Sequence, residues 1–134
     1  MEKALFAFRH YSFSRAELNL KNLPENATFS LDFSPKGIYD EENGLFELTM
    51  IFRAKVRNRN VVLVESNSVY EFKDHIRLED IPSYFYPNSI AILFPYIRSF
   101  VSTLTLQANV QPIILPTMNL TGLQDILKKN TSKK

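Results

Sequence analysis

The sequence predicts an α+β domain: a four-stranded antiparallel sheet followed by a long helix and a short C-terminal helix. Three observations carry this. Within the first 72 residues four runs alternate apolar and polar side chains, the period of a half-buried strand. From Asn88 onward the apolar residues return every three to four positions instead, the period of an amphipathic helix. The two periods are segregated along the chain, which puts the helices on one side of the sheet rather than between its strands.

The first run, Leu5 to Leu20, alternates loosely, with Phe6, Phe8 and His10 on one side and Arg9, Tyr11, Phe13 and Arg15 on the other. It reads as a long strand bent near Ser12 to Ser14. Pro24 and Asn26 interrupt the pattern, and Ala27 to Phe33 resumes it with Phe29, Leu31 and Phe33 inward. Ser34 to Gly44, SPKGIYDEENG, is rich in breakers and acids and reads as a surface loop ending in an Asn-Gly pair suited to positive φ. Leu45 to Val56 is the clearest strand, with Phe46, Leu48, Met50, Phe52, Ala54 and Val56 on one face. A polar turn at Asn58-Arg59-Asn60 returns the chain as a fourth strand to Phe72, and two runs joined so tightly make a hairpin. A sheet apolar on one face needs a cover.

Residues 73–83 are polar and hold at most one irregular helical turn. Pro87 suits the first turn of the helix that follows. Ile90, Leu93, Ile97, Phe100 or Val101, Leu104 and Ala108 form its sheet-facing stripe, and Pro95 inside it removes the bond to the Ala91 carbonyl and predicts a kink. A weaker second stripe, Ile92, Tyr96, Ser99, Thr103 and Leu106, is either a solvated face or a contact with another helix. After Gln107, Pro112 and Pro116 enclose aliphatic residues in an extended strap that either packs down or lines a groove. Thr121 to Lys129 forms the last helix through Leu123, Ile126 and Leu127, and NTSKK is expected to fray.

At 134 residues the chain is expected to be one domain, residues 1–134, with enough apolar content (45%, including eleven Phe and six Tyr) to build a core without cross-links. It has no cysteine, which excludes disulfides, thiolate catalysis and thiolate metal sites. MEKALFAFRH lacks the features of a secretory signal, and the longest apolar run, Ile90 to Ile97, is too short to span a bilayer. The expected location is the cytoplasm, with no membrane partner. The two histidines, His10 and His75, stand in no catalytic or metal-binding motif, so no catalytic residue, metal or cofactor is predicted. Net charge is +2, and the basic cluster Arg53, Lys55, Arg57 and Arg59 lacks interleaved aromatics. It reads as a solubilising ridge that discourages edge pairing, and nucleic acid is not an expected partner.

The run PNSIAILFPYIRSFVSTLTLQANVQPIILPTMNLTGL resembles the helix and cross-over segment of SecB, the cytosolic export chaperone family, with Phe94, Pro95, Tyr96 and Arg98 as the carrying matches. The likeness extends over the four strands, from Phe6 to Leu127. It implies a SecB-like subunit that assembles as a dimer or a dimer of dimers and binds unfolded or precursor polypeptides in apolar grooves, without ATP. The tail, LKKNTSKK, lacks the acidic, glutamine-rich C-terminus associated with docking on the translocation motor, which is therefore not an expected partner. Candidate polypeptide-binding residues are Tyr84, Phe85 and Tyr86 before the helix and Ile113, Ile114, Leu115 and Met118 after it. Candidate subunit contacts are Ile92, Tyr96, Ser99 and Thr103. The alternative reading is a SecB-like interaction module dedicated to one partner, such as an antitoxin or an adaptor target.

Overall fold

The structure, a computed structural model, describes residues 5–116 and 120–134. Four strands, β1 (Phe6–Leu18), β2 (Ser30–Asp40), β3 (Leu45–Val56) and β4 (Arg59–Phe72), pair antiparallel. A 3-10 turn (Leu78–Asp80) leads to the long helix α1 (Phe85–Gln107). Helix α2 (Thr121–Lys129) follows the strap, and a fifth strand, β5 (Thr131–Lys133), closes the order β1-β4-β3-β2-β5.

The alternation of β3 and β4 is realised as read except at their hairpin end, where the register slips between Ala54 and Lys55, Val61 and Val62 are both buried, and the turn falls before Arg59 and not across it. Phe46, Leu48, Phe52, Val62, Val64 and Tyr70 are fully buried beneath α1, and Arg57 and Asn58 (φ 50° and 64°) make the two-residue turn between the strands. Ser66 and Ser68 share this buried face at no hydrogen-bond loss, because their hydroxyls donate to the carbonyls of Met50 (3.1 Å) and Leu48 (3.5 Å).

Three expectations are corrected. The segment 34–40 is strand, not loop. Pro35 tolerates this because its carbonyl, and with it its nitrogen, points away from β3: the Asn130 side-chain amide donates to that carbonyl (3.4 Å), so no ladder bond with β3 is lost. Gly37 is required where it stands, since a Cβ there would run into the Phe46 ring and lie 2.8 Å from Thr131 Oγ1. The tail does not fray. Thr131–Lys133 pairs parallel with Gly37–Tyr39, the Lys134 N–H donates to the Tyr39 carbonyl (2.9 Å), and Lys133 Nζ lies 3.3 Å from Glu41.

The third correction concerns β1. Its pairing with β4 slips by one residue between Phe8 and His10, and again between Phe13 and Arg15. The first bulge turns His10 out to solvent and brings Tyr11 and Phe13 onto the face of Phe6 and Phe8, reversing the sides read from simple alternation; the second restores the original parity, so that Ala16 opposes Val64 and Leu18 opposes Val62.

Helix α1 lays Phe85, Ile90, Leu93, Ile97 and Val101 on the sheet. It runs as one helix through Pro95; that residue and Ala91, whose carbonyl loses its intrahelical donor, are both exposed and open to water. Its first turn begins at Phe85, earlier than Pro87 suggested. Phe85 meets Phe6, Phe46, Tyr70 and Phe72 at ring-centroid distances of 4.7–5.6 Å. The Tyr70 hydroxyl, buried below the helix, donates to the Ser89 carbonyl (2.7 Å), and its pKa is pushed up to about 12 by burial, against the lowering effect of the Ser68 hydroxyl.

Candidate functional site

The site grows from the way α1 ends. Ala108 caps the helix and Asn109 follows at φ 61°; its N–H donates to the Leu106 carbonyl (3.0 Å) and that of Val110 to the Thr105 carbonyl (3.4 Å), the paired bonds of a left-handed helix terminus. The chain thereby reverses onto the helix it has just left. Thr105, fully buried, fixes the return: its Oγ1 accepts the N–H of Ile113 (2.9 Å) while donating to the Val101 carbonyl (3.0 Å). With Pro112 and Pro116 holding the strap extended, alternate side chains point opposite ways. Ile113 and Leu115 turn inward, and Ile114 stands 68% exposed.

Facing the strap is the connection from β1 to β2. Asn22 and Asn26 both take left-handed backbone (φ 53° and 58°), which lets the chain fold around Leu23-Pro24. Leu20, Leu23, Ala27, Phe29 and Leu31 come to lie half-buried along it. Between this wall and the strap runs an open groove of about 790 Å³, lined by those residues together with Thr105, Val110, Ile113 and Ile114, and with Glu25 as its one charged lining residue among those described.

The residues singled out from sequence fall into two places. Ile113 and Ile114 line the groove; Leu115 is buried beside them in the core. Tyr84 is half-buried ahead of α1, whereas Phe85 and Tyr86, at 0% and 4% exposure, belong to the aromatic core. They were expected on irregular backbone, but the helix starts at Phe85 and its first turn drives both rings into the sheet. The two clusters are separated along α1 by about 30 Å at 1.5 Å per residue. Met118 lies outside the described residues. The wall opposite the strap was not singled out. Ala27 to Phe33 alternates so cleanly that it reads as strand throughout, and the signal against that reading was the pair of asparagines bracketing Leu23-Pro24.

The second stripe of α1 meets β1 in a seam of rings. Tyr96 stacks on Tyr11 at 4.1 Å and on Phe8 at 5.8 Å, and Phe100 stacks on Phe13 at 4.0 Å. Ile92 is half-buried, Ser99 and Thr103 are exposed, and Tyr11, Tyr96 and Leu106 leave apolar surface facing outward. β1 is also the terminal strand of the sheet, and among the described residues no strand pairs with its outer edge beside this seam. By length and composition α1 would be able to cross a bilayer, but its apolar stripe of Ile90, Leu93, Ile97 and Val101 lies against the sheet.

Among the described residues no group of three or more His, Asp or Glu side chains is placed to hold a metal ion. His75 lies beside Gly44, and the pocket next to it gathers Asp40, Glu41, Arg77, Lys133 and Lys134 into a mixed-charge cluster at the end of β5. There Glu41 Oε2 accepts the N–H of Leu78 (2.9 Å), which with the nearby lysine holds its carboxyl below the usual range; Asp40 is held down likewise, chiefly by the side chain of Asn43.

No protein-family model matches the chain. A stretch of 50 residues is 46% identical to the uncharacterized protein MJ0357 of Methanocaldococcus jannaschii, and the match covers 34% of this chain and 32% of that relative. Among solved structures, the chain is similar to the Mycobacterium tuberculosis SecB-like chaperone Rv1957, solved in complex with a ChAD peptide from the antitoxin HigA1. That likeness has a TM-score of 0.68 at 20% identity and covers 85% of this chain and 90% of the other. It is also similar to a Streptococcus agalactiae protein of unknown function, with a TM-score of 0.50 at 13% identity, over 86% and 99% of the two chains. The fold is SecB-like.

Proposed function

We propose that this SecB-like chain is an ATP-independent holdase of the cytoplasm that keeps unfolded or extended polypeptides in apolar grooves. The observation that carries the reading is the groove between the proline-pinned strap and the 20–31 wall: it is open, its aliphatic residues and Phe29 are interspersed with Glu25, Asn26, Thr105 and Gln111, and apart from Leu31 in β2 and Thr105 in α1 its lining stands on backbone outside the regular elements. An unfolded client exposes the apolar surface that such a groove covers. At roughly 25 cal/mol per Å², each 100 Å² removed from water contributes about 2.5 kcal/mol before the cost of ordering the client. One groove then holds weakly, and several on one oligomer hold well. The seam of Tyr11, Tyr96 and Phe100, with Ile92, Ser99 and Thr103 beside it, is the surface through which we propose that subunits associate.

A second reading is favoured by one observation: the SecB-like neighbour was solved with a peptide from one antitoxin, which suits a module dedicated to a single partner. Neither reading requires covalent chemistry. The two part in a light-scattering assay in which chemically unfolded clients are diluted into the protein without nucleotide. The holdase suppresses aggregation of several unrelated clients near one-to-one stoichiometry, and Leu23→Ser with Ile114→Ser weakens this while the folded state persists. A chain that suppresses none, yet co-purifies with one polypeptide, is the dedicated module.

A further inference from the structure

The two outer edges of the sheet are finished differently. Among the described residues no strand pairs with the outer edge of β1, whereas that of β2 is closed by Thr131–Lys133, three residues in parallel register with Gly37–Tyr39. The closure has a firm half and a loose half. Asn130 is fixed twice, its N–H donating to the Ile126 carbonyl (2.9 Å) and its side-chain amide to the Pro35 carbonyl (3.4 Å), and Thr131 Oγ1 donates to the Leu127 carbonyl (2.6 Å). Beyond Thr131 the hold is slighter. The Lys134 N–H donates to the Tyr39 carbonyl (2.9 Å), the exposed Lys133 side chain reaches Glu41 across 3.3 Å, and Ser132 lies opposite Ile38 without covering it, since Ile38 stays 39% exposed. A short parallel ladder and one exposed ion pair make a weak seal, so residues 132–134 open first, about a hinge at Asn130-Thr131 that remains attached to α2.

The edge beneath is complementary to itself. Strand alternation puts Lys36, Ile38 and Asp40 together on the outer face of β2, and Gly37 and Tyr39 direct backbone groups outward: the Gly37 N–H donates to the Asn130 carbonyl (3.3 Å) and the Tyr39 carbonyl accepts from Lys134. A second β2 laid antiparallel with Ile38 on the two-fold axis sets Ile38 against Ile38 and each Lys36 against an Asp40, and brings the outward groups of Gly37 opposite those of Tyr39. Centring the pair on Lys36 or on Asp40 opposes like charges, and centring it on Ser34 puts Pro35, which has no N–H, at two ladder positions. We propose that residues 132–134 are a displaceable guard over a latent interface: when they leave, the β2 edge pairs antiparallel about Ile38 with the β2 edge of a second copy of this chain, and one sheet runs through both. In place, they keep copies apart along this edge, whether or not the groove holds clients.

The full chain carrying Ser132→Pro and Lys134→Pro tests this by backbone hydrogen exchange and sedimentation velocity. Residues 132 and 134 share the side of β5 that faces β2, and the two prolines remove their N–H groups while leaving the Asn130 and Thr131 anchors in place. Exchange at Gly37 and Tyr39 is expected to quicken in dilute protein, where the edge lies open, and the mass in concentrated protein is expected to at least double relative to the unaltered chain. Adding Lys36→Asp, which opposes Asp40 with a second acid, or Ile38→Lys, which sets two cations on the axis, is expected to abolish that gain; both side chains are exposed, so neither change touches the core. Unchanged exchange at Gly37 and Tyr39 overturns the guard. Quickened exchange without a gain in mass overturns the interface, and a gain that survives both Lys36→Asp and Ile38→Lys overturns the pairing about Ile38 in favour of unspecific association.

Discussion

The two ends of α1 have been built for opposite purposes. At its beginning, Phe85 is enclosed by Phe6, Phe46, Tyr70 and Phe72, and Tyr70 pins the helix backbone through Ser89. At its end, Thr105 is enclosed as completely, yet what it holds is a strap with Ile114 pointing into open space. Aromatic rings fill the first end. Aliphatic residues on irregular, proline- and asparagine-shaped backbone leave the second unfilled. The same helix thus supplies stability at one end and accessible apolar surface at the other, and the two are far enough apart to be changed independently.

The largest expected effect is on the closed end. Phe85→Ala empties a site enclosed by four rings and should cost about 3–5 kcal/mol of unfolding free energy in urea titrations; a loss under about 1 kcal/mol would mean that this end is not the anchor described. Next comes the response to base. Tyr70 and Tyr39 both have folded pKa values near 12, above the ordinary 10, so their contribution is complete below pH 10 and is lost as pH rises from 10 toward 12. For the fully buried Tyr70 the loss approaches roughly 2–3 kcal/mol, and Tyr70→Phe with Tyr39→Phe should flatten the alkaline limb of stability against pH. The smallest effect belongs to the open end: Thr105→Val leaves the buried Ile113 N–H without its acceptor, at about 1–2 kcal/mol. It should speed hydrogen exchange at Ile113 and weaken client binding while Phe85 and its neighbours keep their near-ultraviolet signal. A Thr105→Val protein that binds clients unchanged would show that the strap is not a working wall.

How much of this was legible follows from what each stretch asks of its backbone. β3, β4 and α2 are readable to within a residue or two because their periods run almost unbroken, the one slip falling at Val61 beside the hairpin turn; Thr121–Lys129 is found as expected. β2 was cut short because Pro35 and Gly37 are breakers in isolation. The local sequence does not show that Pro35 faces away from β3, or that the Phe46 ring lies over Gly37, since both depend on residues far along the chain. The strap's prolines announced an extended segment, and Ile113 and Ile114, singled out as candidate binding residues, line the groove beside it. Its opposite wall stayed hidden because a groove is a relation between two segments some 80 residues apart. Phe85 and Tyr86 were misplaced because the helix begins two residues before Pro87, which puts both in its first turn.

The double bulge of β1 bears on how copies of this chain can meet. Between Arg9 and Ser14 only the four residues His10 to Phe13 keep uninterrupted step with β4, so an incoming strand would find the outer edge broken at both limits of that interval. Such an edge offers no template for stacking molecule upon molecule into a ribbon. The rings that the bulges gather, Phe8, Tyr11 and Phe13, favour a contact made side chain to side chain, which saturates when one partner has arrived. In the subunit association proposed above, the irregularity that obscures β1 in the sequence would favour closed assemblies of few subunits over open-ended fibres.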